Sequence, residues 1–192
     1  MKQGLKKFSG KTQGGRTKEG QKIGENFIKE VLEVLQIEDL KLSLFKKRFI
    51  YENGIDYKTS QYPDFIIANS KTGSKLYKNV KYFFLESKFK QISGSDWEKL
   101  ECNFGYHDFF YNDLLNLQVK TIVILTGYWK ELEKKYPLFM YYFKQKYGKE
   151  CIFDFGSNVK EIFRFAKFLN VECTEEIQSQ LIKIYNKYQN LE

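Results

Sequence analysis

Residues 121–125 read T-I-V-I-L, an unbroken apolar and β-branched run closed by Thr126-Gly127. A strand with one wet face alternates polar and apolar residues, whereas a strand without alternation must be covered on both faces. The segments around this run show another period. Between residues 18 and 36, Ile23, Phe27, Ile28, Val31, Leu32 and Leu35 recur at helical spacing. Residues 129–146, 159–169 and 174–188 also read as helices, with Pro137 a break or kink in the first. A buried strand and amphipathic helices in one chain predict an α/β fold, with a mixed sheet between helical layers.

Shorter segments complete the pattern. Residues 63–68, P-D-F-I-I-A, form a short apolar run after a proline and suit a buried strand. A turn signal covers residues 69–74, and residues 80–90 read as a second strand, so the two predict a β-hairpin with a long loop. Residues 96–115 read as a helix opened by Ser95 or Asp96 as N-cap and broken near Gly105. Residues 151–155 are another short strand, and residues 40–51 suit either a strand or a short helix. Residues 1–17 carry Lys2, Lys6, Lys7, Lys11 and Arg16 among Gly, Ser and Gln without apolar period, which reads as a flexible basic arm. The remainder, residues 18–192, has the length of a single domain.

The formal net charge of +8 favours a polyanionic partner, most simply nucleic acid. No apolar run is long enough to span a membrane, and the Lys-rich beginning lacks the apolar core of a secretory signal. Cys102, Cys151 and Cys173 are widely spaced, and His107 is the single histidine. That inventory argues against a zinc site or a disulfide framework. It implies reduced thiols, a cytoplasmic location, and a hard, oxygen-ligated metal if any is used.

Asp64, Glu86 and Lys88 fall on the two strands of the expected hairpin. Side chains two apart on a strand share a face, so Glu86 and Lys88 point one way and Leu85 and Ser87 the other. Three ionisable groups at the end of an apolar run suit phosphodiester hydrolysis. That reaction needs an activated water and neutralised charge on the phosphoryl oxygens. Carboxylates on adjacent strands, with the Ser87 backbone carbonyl between Glu86 and Lys88, can hold one Mg²⁺. A lysine two residues past the glutamate can reach the attacking water and the phosphate. The competing reading is plain: Glu86 and Lys88 as a surface ion pair on an edge strand.

Pro63-Asp64 followed by Glu86-Ser87-Lys88 resembles the signature of the PD-(D/E)XK nucleases. Gly24-Glu25 ahead of Phe27 and Ile28 is similar to that family's first helix, which often carries a further acidic metal-site residue; Glu25 is the better match and Glu30 the weaker. Gln91 and the Ser93-Gly94-Ser95 segment before a helix resemble the type II restriction endonuclease branch. The resemblance covers roughly residues 18–127. It implies a restriction-endonuclease-like mixed central sheet flanked by helices, and Mg²⁺-dependent cleavage of double-stranded DNA with Mn²⁺ as a substitute. It further implies a homodimer, and a cognate DNA methyltransferase in the same system. Asp64, Glu86 and Lys88 would be catalytic, with Asp64, Glu86, the Ser87 carbonyl and Glu25 around the metal. Gln91, Ser93, Ser95, Lys6, Lys7, Lys11 and Arg16 would contact DNA. A structure-selective or repair nuclease of the same superfamily would share every catalytic residue. A non-catalytic DNA-binding module is the remaining alternative.

Other signals have ordinary explanations. His107 reads as a structural or DNA-facing residue, and Thr126-Gly127-Tyr128-Trp129 as a strand-to-helix turn. Tyr141-Tyr142-Phe143 suits a core or a subunit interface.

Overall fold

The computed structural model describes residues 13–40, 63–69, 77–90, 108–114, 117–127, 129, 134 and 136–189. The T-I-V-I-L run lies inside β3 (Val119–Gly127), which has partner strands on both sides. β3 pairs in parallel with β2 (Tyr82–Lys90), in the register Leu85↔Ile122 and Lys88↔Leu125. Its other edge pairs in parallel with β4 (Ile152–Asp154), with Val123 opposite Ile152. β1 (Phe65–Ala68) joins the far side of β2 antiparallel, with Phe65 opposite Leu85. Among the described residues the sheet is therefore four-stranded and mixed, in the order β1-β2-β3-β4.

Strand alternation sorts the core onto two faces. On one face Ile67, Phe83, Leu85, Ile122, Ile124 and Phe153 pack against three helices. These are α1 (Gln13–Val34), α3 (Val159–Phe168) and α4 (Glu175–Gln189). The expected stripe from Phe27 to Leu35 supplies the buried side of α1. α3 is opened by Asn158, whose side chain accepts from the Lys160 N–H, and its buried residues are Ile162, Phe165, Ala166 and Phe168. On the opposite face Val123, Leu125 and Ile152 pack with Trp129 and with Met140 and Phe143 of α2 (Pro137–Tyr147). A π-helical segment, Asp108–Leu114, covers the rest of that face, with Tyr111 edge-on to Phe84 at 4.7 Å between centroids.

The structure moves some expected boundaries. α1 begins at Gln13, five residues before the expected start at residue 18, so residues 13–17 of the expected arm are helical. Apolar periodicity marks the turns that pack, whereas a helix adds a backbone bond for each further residue it fixes. Pro137 does not kink a long helix; it stands in the first turn of α2, where its missing N–H has no partner to lose. Residues 1–12, 41–62 and 91–107, with His107 and Cys102, lie outside the described residues, as does most of the expected helix 96–115. Among the described residues no helix is long and apolar enough to cross a membrane.

Candidate active site

The β1–β2 pairing brings Asp64, one residue ahead of β1, beside Leu85 to Ser87 of β2. The Asp64 N–H donates to the Leu85 carbonyl at 3.0 Å. The Ser87 N–H donates to Asp64 Oδ2 at 2.7 Å, so a carboxylate occupies the place a backbone acceptor would take. In an extended strand the N–H and C=O of one residue share a side. The Ser87 carbonyl therefore faces the Asp64 edge as well.

Glu86 and Lys88 project from the sheet face that carries Phe84, as their alternation predicts. Lys88 Nζ donates to Glu86 Oε2 at 2.6 Å. The competing reading of a surface pair on an edge strand does not fit this placement. β2 lies between β1 and β3, and Glu86 is 3% exposed. Removing a carboxylate from water costs several kcal/mol unless a partner offsets it. Here the partner is the lysine two residues along the same strand.

Burial pushes the Asp64 carboxyl above its ordinary range; the Lys88 ammonium and the Ser87 N–H pull it down, and the charge of Glu25 adds to the rise. Glu25, from α1, is thus within electrostatic reach of Asp64. The structure gathers Asp64, Glu86, the Ser87 backbone and Lys88, with Glu25 at the margin. Glu30 is elsewhere: it accepts from Lys187 Nζ at 2.5 Å and from the Tyr188 hydroxyl at 2.8 Å, tying α1 to α4. Gln91, Ser93, Ser95, Lys6, Lys7 and Lys11 lie outside the described residues, and Arg16 falls within α1.

One contributor had no functional reading in the sequence. Trp129, 2% exposed, donates its Nε1–H to the Lys88 carbonyl at 2.6 Å. That bond fixes the end of β2 from the β3 side, while Asp64 holds it from the β1 side. A buried indole must find an acceptor, so a tryptophan two residues after the central strand carried a signal. Its partner, 41 positions away, could not be read from local pattern.

The donor set suits a small, hard cation. Mg²⁺ is typically held by one or two carboxylates and keeps several waters. Asp64, Glu86 and the Ser87 carbonyl supply that kind of set. Among the described residues no group of three or more His, Cys, Asp and Glu side chains is arranged to hold a metal ion, and a two-carboxylate magnesium site does not require one. Asp154, also near the carboxyl ends of the strands, accepts through Oδ1 from the Gly156 and Ser157 N–H groups, and shapes the turn into α3.

The fold and this cluster define an α/β protein with a four-stranded mixed sheet flanked by helices and a buried acid–lysine cluster on two adjacent strands. Comparison with protein-family models, with curated proteins and with solved structures gives no match.

Proposed function

We propose that the protein is a Mg²⁺-dependent DNA endonuclease that hydrolyses phosphodiester bonds at Asp64, Glu86 and Lys88. The observation that carries this reading is the buried cluster itself. Two carboxylates and a lysine share one corner of the sheet, held by the 2.7 Å and 2.6 Å bonds. A fold places such groups in its interior only at a cost in desolvation, and a carboxyl raised by burial, as Asp64 is, is the kind of group that concentrates at functional sites. The net charge of +8 supplies the attraction for a polyanion.

Each residue has a distinct task. Asp64 and Glu86 would hold the cation, and the Ser87 carbonyl would add a neutral oxygen. A bound magnesium would lower the pKa of a coordinated water and neutralise charge on the phosphoryl oxygens. Lys88, which donates to Glu86 Oε2 at 2.6 Å, would orient the attacking water and offset charge developing on the phosphate. Trp129 is a positioning residue, acting on Lys88 through its carbonyl.

The finer reading, a type II restriction endonuclease that acts as a homodimer on a specific duplex site beside a cognate methyltransferase, is supported by the family resemblance. The test uses unmodified plasmid and branched DNA with EDTA, Ca²⁺, Mg²⁺ or Mn²⁺. The expected result is cleavage in Mg²⁺ or Mn²⁺, binding without cleavage in Ca²⁺, and loss of cleavage in Glu86→Ala. Discrete plasmid fragments indicate site-specific restriction, and cleavage of branched DNA alone a structure-selective nuclease. Full cleavage in EDTA, or a Glu86→Ala rate within about tenfold of wild type, roughly 1.4 kcal/mol, overturns the assignment.

A further inference from the structure

Among the described residues no strand lies beside the outer edge of β4, yet the backbone groups on that edge are bonded. Neighbouring residues of a strand turn their backbone groups to opposite sides. β3 lies on one side of β4, so Ile152 and Asp154 address the other. The Ile152 N–H donates to the Lys149 carbonyl. The Asp154 carbonyl accepts from the Ser157 N–H at 3.3 Å and from the Ser157 hydroxyl at 3.2 Å. The two groups between them, the Ile152 carbonyl and the Asp154 N–H, are met by side chains of α3. Arg164 Nη2 donates to the Ile152 carbonyl, and the Asp154 N–H donates to Glu161 Oε2 at 3.4 Å.

A residue of a parallel strand opposite Phe153 would offer the same pair, an N–H to the Ile152 carbonyl and a C=O to the Asp154 N–H. Arg164 and Glu161 are joined to each other at 2.6 Å, and Arg164 Nη1 reaches on to the Lys149 carbonyl at 3.2 Å. The guanidinium carbon stands 4.1 Å from the centre of the Phe153 ring, so the pair covers the aromatic residue of β4 as well as its backbone. Side chains close other stretches of the sheet in the same way. Asn112 Oδ1 accepts from the Val119 N–H at 2.6 Å while its Nδ2 donates to the Val119 carbonyl at 2.9 Å. At β1, Asp39 Oδ1 accepts from the Ile66 N–H at 2.9 Å, and the Leu40 N–H donates to the Ile66 carbonyl at 2.8 Å.

We infer that the Glu161–Arg164 pair stands in for a further strand and keeps the β4 edge closed to the same strand of a second copy of this chain. An open strand edge is a template for pairing. Residues 151–155, C-I-F-D-F, have the aromatic and β-branched content and low charge of a self-pairing segment. A second copy presents that same segment, which makes it the partner to be kept out. An ordinary ion pair three residues apart on a helix would need neither backbone bond. The inference concerns assembly and does not rest on the nuclease reading.

The experiment combines sedimentation equilibrium over a wide range of concentration with NMR exchange of the Asp154 amide. In dilute Glu161→Ala/Arg164→Ala the Asp154 amide should exchange at least about tenfold faster than in wild type. As concentration rises the variant should self-associate beyond the wild-type mass, and the amide should regain protection. Glu161→Arg/Arg164→Glu keeps opposite charges three residues apart, but an arginine cannot accept from the Asp154 N–H and a glutamate cannot donate to the Ile152 carbonyl. It should behave like the alanine pair. Glu161→Gln keeps an acceptor oxygen and should behave like wild type. Thermal melts show which variants are folded, and Arg164→Met, which keeps the stem and loses the donors, carries the test should the alanine pair not melt cooperatively. An alanine variant with the mass of wild type at every concentration overturns the proposal, as does unchanged Asp154 exchange. A charge-swapped protein identical to wild type would reduce the pair to an ion pair. Association that leaves the Asp154 amide unprotected would put the contact elsewhere, and the proposal fails there too.

Discussion

Trp129→Phe isolates the bond that holds the end of β2. The ring still fills the space between Val123, Leu125, Met140 and Phe143, but the donor to the Lys88 carbonyl at 2.6 Å is gone. A buried acceptor left without its donor costs about 1–3 kcal/mol. The lost part of the indole leaves a small cavity, for about 1 kcal/mol more. The expected destabilisation is about 2–4 kcal/mol. In a domain of this size 1 kcal/mol moves the melting temperature by about 2–4 °C, so Tm should fall by about 5–15 °C. Trp129→Ala should lose more, because the whole ring goes, at about 3–5 kcal/mol for the cavity in addition to the stranded carbonyl. Calorimetry on the three proteins reads these differences. Cleavage measured well below the variant's Tm should also fall by about tenfold or more, because Lys88 shares its backbone with the lost bond. A Trp129→Phe protein within about 0.5 kcal/mol of wild type would refute the reasoning. A destabilised variant with an unchanged cleavage rate would leave the bond structural and remove Trp129 from the site.

Two further substitutions test neighbouring claims. Burial holds the Asp64 carboxyl above its usual range. The protonated form is therefore favoured by folding, and its stabilising contribution is present at low pH and lost as pH rises through the raised value. Asp64→Asn should consequently be more stable than wild type at neutral pH without metal, and should lose the Mg²⁺-dependent rise in Tm; denaturant titrations from pH 4 to 8 showing it less stable throughout would contradict this. A Cβ on Gly156 would stand 2.8 Å from the Gly127 nitrogen and 3.0 Å from its oxygen. Those are backbone atoms that cannot swing aside, so Gly156→Ala should cost about 1–3 kcal/mol and lower Tm accordingly; an unchanged melt would show that the β3 and β4 ends separate freely.

Local pattern was enough to determine a good deal of this protein. The unbroken run at residues 121–125 required a doubly covered strand, and β3 packs Ile122 and Ile124 on one face and Val123 and Leu125 on the other. The helical stripe from Ile23 to Leu35 required a packed face, and α1 has one. Both follow from short-range periodicity, which survives any arrangement that buries the apolar side. The alternation that set Glu86 and Lys88 on one face is equally local, because strand side chains have a period of two. Pairing order and environment are not local. The expected hairpin already paired β1 with β2 antiparallel; only the tertiary structure laid β3 parallel along the other edge of β2, turning Glu86–Lys88 from an edge-strand pair into a buried one. Only the register set Asp64 Oδ2 on the Ser87 N–H, and only the chain's return after β3 brought Trp129 to the Lys88 carbonyl. The reason is physical: a residue type fixes what a group must bond, but not which distant group will satisfy it. The outer side of α2 shows the same limit in reverse. The sequence read Tyr141-Tyr142-Phe143 as one apolar block, and the helix divided it, sending Phe143 into the core and both tyrosines out to solvent.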